Sequence, residues 1–185
     1  MTLSFRALAL TALLAVPALA PAFAQDNPMV GGAPMFADKT IVENAVNSKD
    51  HTTLVAAVKA ADLVDTLSGP GPFTVFAPVD SAFSALPSGT VENLLQPAQK
   101  PTLTKELTYQ VVAGRVPAAQ LVQAIRQGGG SYEIKTVAGQ TLTARLDGNT
   151  VAITDAAGRT SRVTQTDVKA TNGVIHVTDG VFLPG

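Results

Sequence analysis

The chain has no cysteine and no tryptophan, and only two of its 185 residues are histidine. Without thiols there is no disulfide, no thiolate nucleophile, no Cys-ligated zinc and no lipidated N-terminal cysteine. Two histidines are too few for a His-rich metal centre. Charge is sparse as well: Asp, Glu, Lys and Arg make up 15% of the residues, and the formal net charge is −1. That balance leaves no polybasic footprint for nucleic acid or anionic lipid. The G-x-S-x-G, GxxxxGK[ST] and H-E-x-x-H patterns are all missing. Gly69-Pro70-Gly71-Pro72 is glycine-rich, but its prolines remove the N–H donors that a phosphate cradle needs. Gly128-Gly129-Gly130 ends a helical pattern instead of opening one, so it lacks the anion-attracting helix N-terminus.

Apolar residues, in contrast, are plentiful at 46%, which places the chain among folded proteins. Arg6, an Ala/Leu/Val-rich run and Ala22-Phe23-Ala24 form the basic, apolar and A-x-A parts of an export signal. Cleavage is expected between Ala24 and Gln25. Pro17 and Pro21 interrupt the run and argue against a membrane anchor, and no later stretch approaches the roughly 20 apolar residues of a spanning helix. The expected product is exported, periplasmic or extracellular, without membrane insertion. What remains has the size of one ordinary domain.

Residues 25–37 hold Gly and Pro clusters without periodicity and read as a flexible arm. Residues 38–184 read as a single domain. Its first half is helical in pattern: a short helix around 40–46 with Asp38 as cap, then Leu54, Val55, Val58 and Ala61 at core-facing spacing behind Asp50 or Thr52. Phe73 to Phe76 is a short buried strand. Further helices are expected over 78–86, 91–95, 102–111 and from Pro117 to the glycine triplet. After Gly130 the period changes to two. Segments around 132–136, 141–146 and 151–154 alternate, and two more strands follow near 162–168 and 173–178. Helices first and strands second imply an α+β fold. His51, at a helix start, reads as a cap or surface residue, and His176, between Ile175 and Val177, as a structural core histidine. Asp62 and Asp65 share a helix face but sit where a solvated pair is ordinary. No metal site, cofactor site or catalytic constellation is expected.

Three segments together resemble the fasciclin domain, a secreted adhesion module. Thr74-Val75-Phe76-Ala77-Pro78-Val79-Asp80-Ser81-Ala82-Phe83 is similar to the first signature box of that family, and Tyr109-Gln110-Val111-Val112-Ala113-Gly114 to its central Tyr-His segment. Asn172-Gly173-Val174-Ile175-His176-Val177, continuing to Pro184, resembles the closing box. Gln110 stands where the family usually has His. The resemblance implies a wedge-shaped β-sandwich of about seven strands with helices along one side. The boxes then read as fold-forming. Phe76 belongs to a central strand, Pro78 sets the entry to a helix that Asp80 caps, and Phe83 plugs the core. Asn172-Gly173 signals a type I′ turn into the last strand.

The resemblance also implies a contact segment before the closing box. Asp167-Val168 matches an Asp-Ile segment implicated in receptor binding in animal fasciclin domains. Asp167 and Lys169 flank Val168, so alternation predicts both on one exposed face, with Val168 inward. The expected function is non-enzymatic adhesion, or interaction with matrix or envelope. The partner would be a cell-surface or matrix protein, a polysaccharide or a second copy of the chain, and not nucleic acid. A small-molecule carrier or periplasmic binding protein using an apolar cleft between helices and sandwich is the alternative.

Overall fold

The structure is a computed structural model and describes residues 27–184. The export signal over 1–24 and its cleavage site therefore lie outside the described residues. Seven strands form one sheet in the order β4-β3-β9-β8-β7-β6-β5. In chain order these are β3 (Phe73–Pro78), β4 (Val111–Ala113), β5 (Ser131–Lys135), β6 (Thr141–Asp147), β7 (Thr150–Thr154), β8 (Thr160–Ala170) and β9 (Gly173–Thr178). β5 to β8 form an antiparallel meander joined by short turns. β3 and β9 run parallel, in register from Phe73↔Gly173 to Pro78↔Thr178. β8 makes the corner. Its start pairs with β7, and its remainder pairs with β9 through two register shifts between Val163 and Val168. Bulges of this kind bend a long strand and let it serve both halves of a sandwich.

The two faces of β3 and β9 bury different cores. Phe76 points between the sheet halves, where it meets Leu142, Ala144, Ile153, Val163 and Phe182. Val75, Ala77, Ile175 and Val177 point the other way, under the helices. Burial on both faces explains why these strands read as near-continuous apolar runs instead of alternating. The covering helices are α1 (Ile41–Asn47), α2 (Thr52–Ala60), α3 (Val64–Ser68), α4 (Asp80–Ser84), α5 (Thr90–Leu94) and α6 (Lys100–Tyr109); α7 (Ala118–Gln127) packs on the second core through Leu121 and Ile125. This is the expected α+β sandwich-like fold, with Phe83 buried as expected.

Several local expectations are corrected. The supposed flexible arm contains a hairpin, β1 (Met29–Val30) with β2 (Ala33–Pro34), and buries Val30 and Met35 in the helix-side core. The α1 cap is Thr40, not Asp38: its side chain accepts from Glu43 N while Glu43 bonds back to Thr40 N. The helix expected to reach 111 ends at Tyr109, and β-branched Val111 and Val112 pair with β3. The β8–β9 loop is Thr171-Asn172, and neither it nor Gly173 has positive φ, so the type I′ turn is absent. Gly173 is needed for close approach: a Cβ there would strike the Phe73 carbonyl oxygen of the parallel neighbour.

Candidate functional site

The signature side chains tie together segments that are remote in sequence. Asp80 is the first example. Its carboxylate does not cap its own helix; it reaches to α2, accepting from Thr52 N at 3.2 Å, Thr53 N at 2.8 Å and Thr52 Oγ1 at 2.6 Å. The sequence-adjacent cap is thus replaced by one 27 residues away, and His51, at the N-cap position of α2, makes no capping bond. Partial burial raises the Asp80 carboxyl, but the bonds from Thr52 and Thr53 outweigh it and hold the group below its ordinary value. Asn172 does similar work. It accepts from Ile41 N at 3.0 Å and donates to Leu67 O and Gly69 O, locking α1 and the end of α3 onto the start of β9.

Both histidines are core residues. His51 is 2% exposed, which corrects the cap-or-surface expectation. Its Nδ1 lies 2.8 Å from Ser48 Oγ and its Nε2 faces Ala77 O. His176 is 1% exposed and stacks on Phe76 with ring centroids 5.7 Å apart. Asp167 N donates to Nδ1, so the proton resides on Nε2 and is donated to Val116 O at 2.8 Å. Burial pushes both imidazoles below their ordinary value, more than their backbone bonds raise them. Thr74 continues the same stitching, donating to Gly114 O and accepting from Val116 N. Tyr109 is fully buried; its hydroxyl donates to Thr141 O and accepts from Ala156 N. Asp155 accepts from Ala157 N, Arg159 N, Arg159 Nε and Leu183 N, fixing the chain just before half-buried Pro184.

The Asp167-Val168-Lys169 segment departs from simple alternation. Asp167 lies within the bulge between Gln165 and Val168 and has φ +58°. Its half-buried carboxylate accepts from Ala118 N at 2.8 Å, at the start of α7. Val168 is in the core and Lys169 is exposed. The expected pair on one face is therefore split: Lys169 faces solvent while Asp167 holds a helix.

Gln110 differs from all of these. It is 2% exposed, its backbone is paired with Leu107 and Phe76, and its side-chain oxygen has no donor among the described residues. No cluster of three metal-ligating groups occurs among the described residues, and no helix among them is long and apolar enough to cross a membrane.

The polar network runs through the same segments that mark a known domain. The fasciclin domain model matches residues 49–184. The chain belongs to the fasciclin domain family. It is 50% identical over 145 residues to Protein sll1483 of Synechocystis, covering 78% of this chain and 73% of that one. It is 34% identical to the immunogenic protein MPB70 of Mycobacterium bovis over 76% of this chain and 66% of the relative. Among solved structures, the domain pair of the insect cell adhesion molecule Fasciclin I matches with a TM-score of 0.69 at 20% identity. That match covers 78% of this chain and 51% of the other, so the chain spans about half of that two-domain structure. The β1–β2 hairpin and α1 precede the family match yet pack into the same core.

Proposed function

We propose that this fasciclin domain is an exported, non-enzymatic module that attaches its cell or envelope to a surface, through a matrix or cell-surface protein, a polysaccharide or a second copy of itself. The observation that supports it most is the fate of the polar signature residues. Thr74, Asp80, Tyr109, Asn172 and His176 are all engaged in hydrogen bonds within the fold, and among them no nucleophile, base and oxyanion donor converge. Such residues maintain a scaffold, which leaves recognition to its surface. The fold likeness to a cell adhesion molecule agrees with that reading. The apolar cavities between helices and sheet are about 30 Å³ each at rest, far below the roughly 300 Å³ at which small-molecule pockets begin, and this disfavours a preformed carrier.

Lys169 is the residue of the contact segment that is free to meet a partner. Attachment of cells lacking the protein is compared with that of cells making wild type or Lys169→Glu at matched export. Loss on deletion supports the module. Loss in Lys169→Glu places this segment in the contact. Unchanged attachment after deletion refutes the adhesive role.

A further inference from the structure

We propose that the open groove between residues 68–72 and the β8–β9 turn docks an acidic polysaccharide, with Arg115 and Lys169 at its rim pairing with carboxylates of the sugar chain. The proposal rests on the attachment reading above and names its partner. The groove has a volume of about 640 Å³, within the roughly 300–1,000 Å³ range of ligand clefts. Ser68, Pro70 and Pro72 line it together with Thr40, Thr171 and Asn172. Its walls are fixed before any ligand arrives. Asn172 donates to Leu67 O and Gly69 O and accepts from Ile41 N. Phe73 N donates to Asn172 O, Thr171 N to Lys39 O and Gly114 N to Pro72 O. A groove held in this way loses little freedom on binding.

The lining suits a sugar chain. Ser68 and Thr171 are exposed and carry hydroxyls, and Pro70 and Pro72 are exposed apolar rings. Sugar rings have hydroxyls at their edges and C–H groups on their faces, so both kinds of surface find a match. The charge comes from two cations. Arg115 Nη2 donates to Ala170 O at 3.1 Å and to Thr171 O at 3.3 Å. Those bonds hold the guanidinium at the groove wall and leave its Nε and Nη1 hydrogens for a ligand, in the planar fork that matches a carboxylate. Lys169 is exposed, two residues before Thr171. Neither cation is in an ion pair among the described residues. Lys39, whose carbonyl meets Thr171, stands between the acids Asp38 and Glu43 and supplies no surplus charge. The Asp167 carboxylate is engaged by Ala118 N. The chain has no tryptophan to stack on sugar rings, so one groove binds weakly. A polymer that repeats its carboxylates engages many copies of the protein at once, and firm attachment then follows from multivalency.

Oligogalacturonate and its methyl ester test the assignment, because they share a backbone and differ in charge. In a nuclear magnetic resonance titration of the mature protein at low salt, oligogalacturonate should shift the amides of Ser68, Gly69, Thr171 and Asn172 saturably. It should bind at least about threefold tighter than the ester. Arg115→Gln and Lys169→Glu should each weaken it about threefold, and so should Ser68→Glu, which sets a negative charge on the groove wall. Residues 68 and 169 are exposed, so those two variants keep the fold. Arg126→Glu, in the last turn of α7, should leave binding unchanged. The groove is refuted if no saturable shift occurs, if the shifts fall elsewhere, or if the ester binds equally well. It is equally refuted if Lys169→Glu and Ser68→Glu bind as wild type does, or if Arg126→Glu weakens binding as much as they do. Attachment is read separately on cells. Attachment lost on deletion, with no binding of oligogalacturonate, overturns this partner and leaves the attachment reading standing. Binding in the groove, with attachment unchanged on deletion, keeps the site and overturns the adhesive role.

Discussion

The two cores on either side of β3 and β9 are built differently. Between the sheet halves, Leu142, Ala144, Ile153 and Phe182 have no exposed surface; the first three sit on β6 and β7, neighbours in sequence joined by a short turn, and Phe182 closes the core from the segment after β9. Under the helices, α1 to α6 are short, small voids remain, and the elements are held by single side chains over long separations: Asp80 to α2, Asn172 to α1 and α3. The first core is built around local strand pairing, with side chains that keep no exposed surface. The second depends on a few polar stitches.

The largest expected effect falls on the seam shared by both cores. Gly173→Ala places a methyl group against the Phe73 carbonyl, and backbone cannot yield as a flexible side chain can. The parallel pairing of β3 and β9 must open, at a cost of about 4 kcal/mol or more. Soluble yield and urea denaturation check this, and a wild-type midpoint would show that the two strands are not tightly apposed.

Truncations sharpen the contrast between the cores. Leu142→Ala removes a side chain with close neighbours on all sides and should cost about 3 kcal/mol. Leu54 lines both of the larger voids, so it has fewer dispersion partners to lose, and Leu54→Ala should cost about 1 kcal/mol less. Equal losses in parallel denaturation curves would mean that the helix-side voids close in solution.

Asp80→Ala tests whether the helical layer depends on its stitches. Removing the cap of α2 should lower stability by about 1–2 kcal/mol. The carboxyl is held below its ordinary value, so its contribution is complete above the unfolded value of about 3.9 and disappears as pH falls through the lower folded value. Wild type and variant should therefore converge in acid, and a gap that persists at pH 2 would rule out the charge as the cause.

Each core also holds one neutral histidine, and this gives a second pH window. Folded-state values lie below the ordinary 6.5, so the unfolded chain binds more protons as pH drops. Stability from both residues is full above 6.5 and declines through the depressed folded values. His176→Gln should flatten the melting-temperature profile between pH 7 and pH 5 relative to wild type. A profile as steep as wild type would assign the acid sensitivity to His51 on the helix side.

The same division decides what was legible in the sequence. The meander announced itself through the period-two pattern of β6, where Leu142 and Ala144 are buried and Thr141 and Arg145 exposed; in β7 Val151, Ala152 and Ile153 are all buried, and in β5 Tyr132 is exposed while Ile134 is buried. The signature boxes carried the family and the sandwich. What escaped was long-range. Asp80 beside Pro78 looks like a local cap, and nothing near it in sequence points to Thr52 and Thr53. Val111 and Val112 follow a helix without a break signal, and only β3 makes them a strand. The hairpin at 29–34 lacks periodicity because two short strands cannot show any. Gln110 was visible as a departure from the family pattern, but its missing partner is a property of three dimensions.

The smallest expected effect separates two neighbours that alternation would treat alike. Asp167→Ala loses the bond to Ala118 N and places alanine at φ +58°, a region that Asp tolerates better than Ala. A loss of about 1 kcal/mol is expected, from the cap alone. Lys169→Ala removes an exposed side chain and should change stability by less than about 0.5 kcal/mol. Thermal melts of the two single variants read the difference directly. If Lys169 acts in attachment, it must do so without a stability change, whereas any attachment defect in Asp167→Ala arises together with a loosened α7. A Lys169→Ala melt as low as that of Asp167→Ala would make the whole segment structural and move the search for the contact surface elsewhere on the domain.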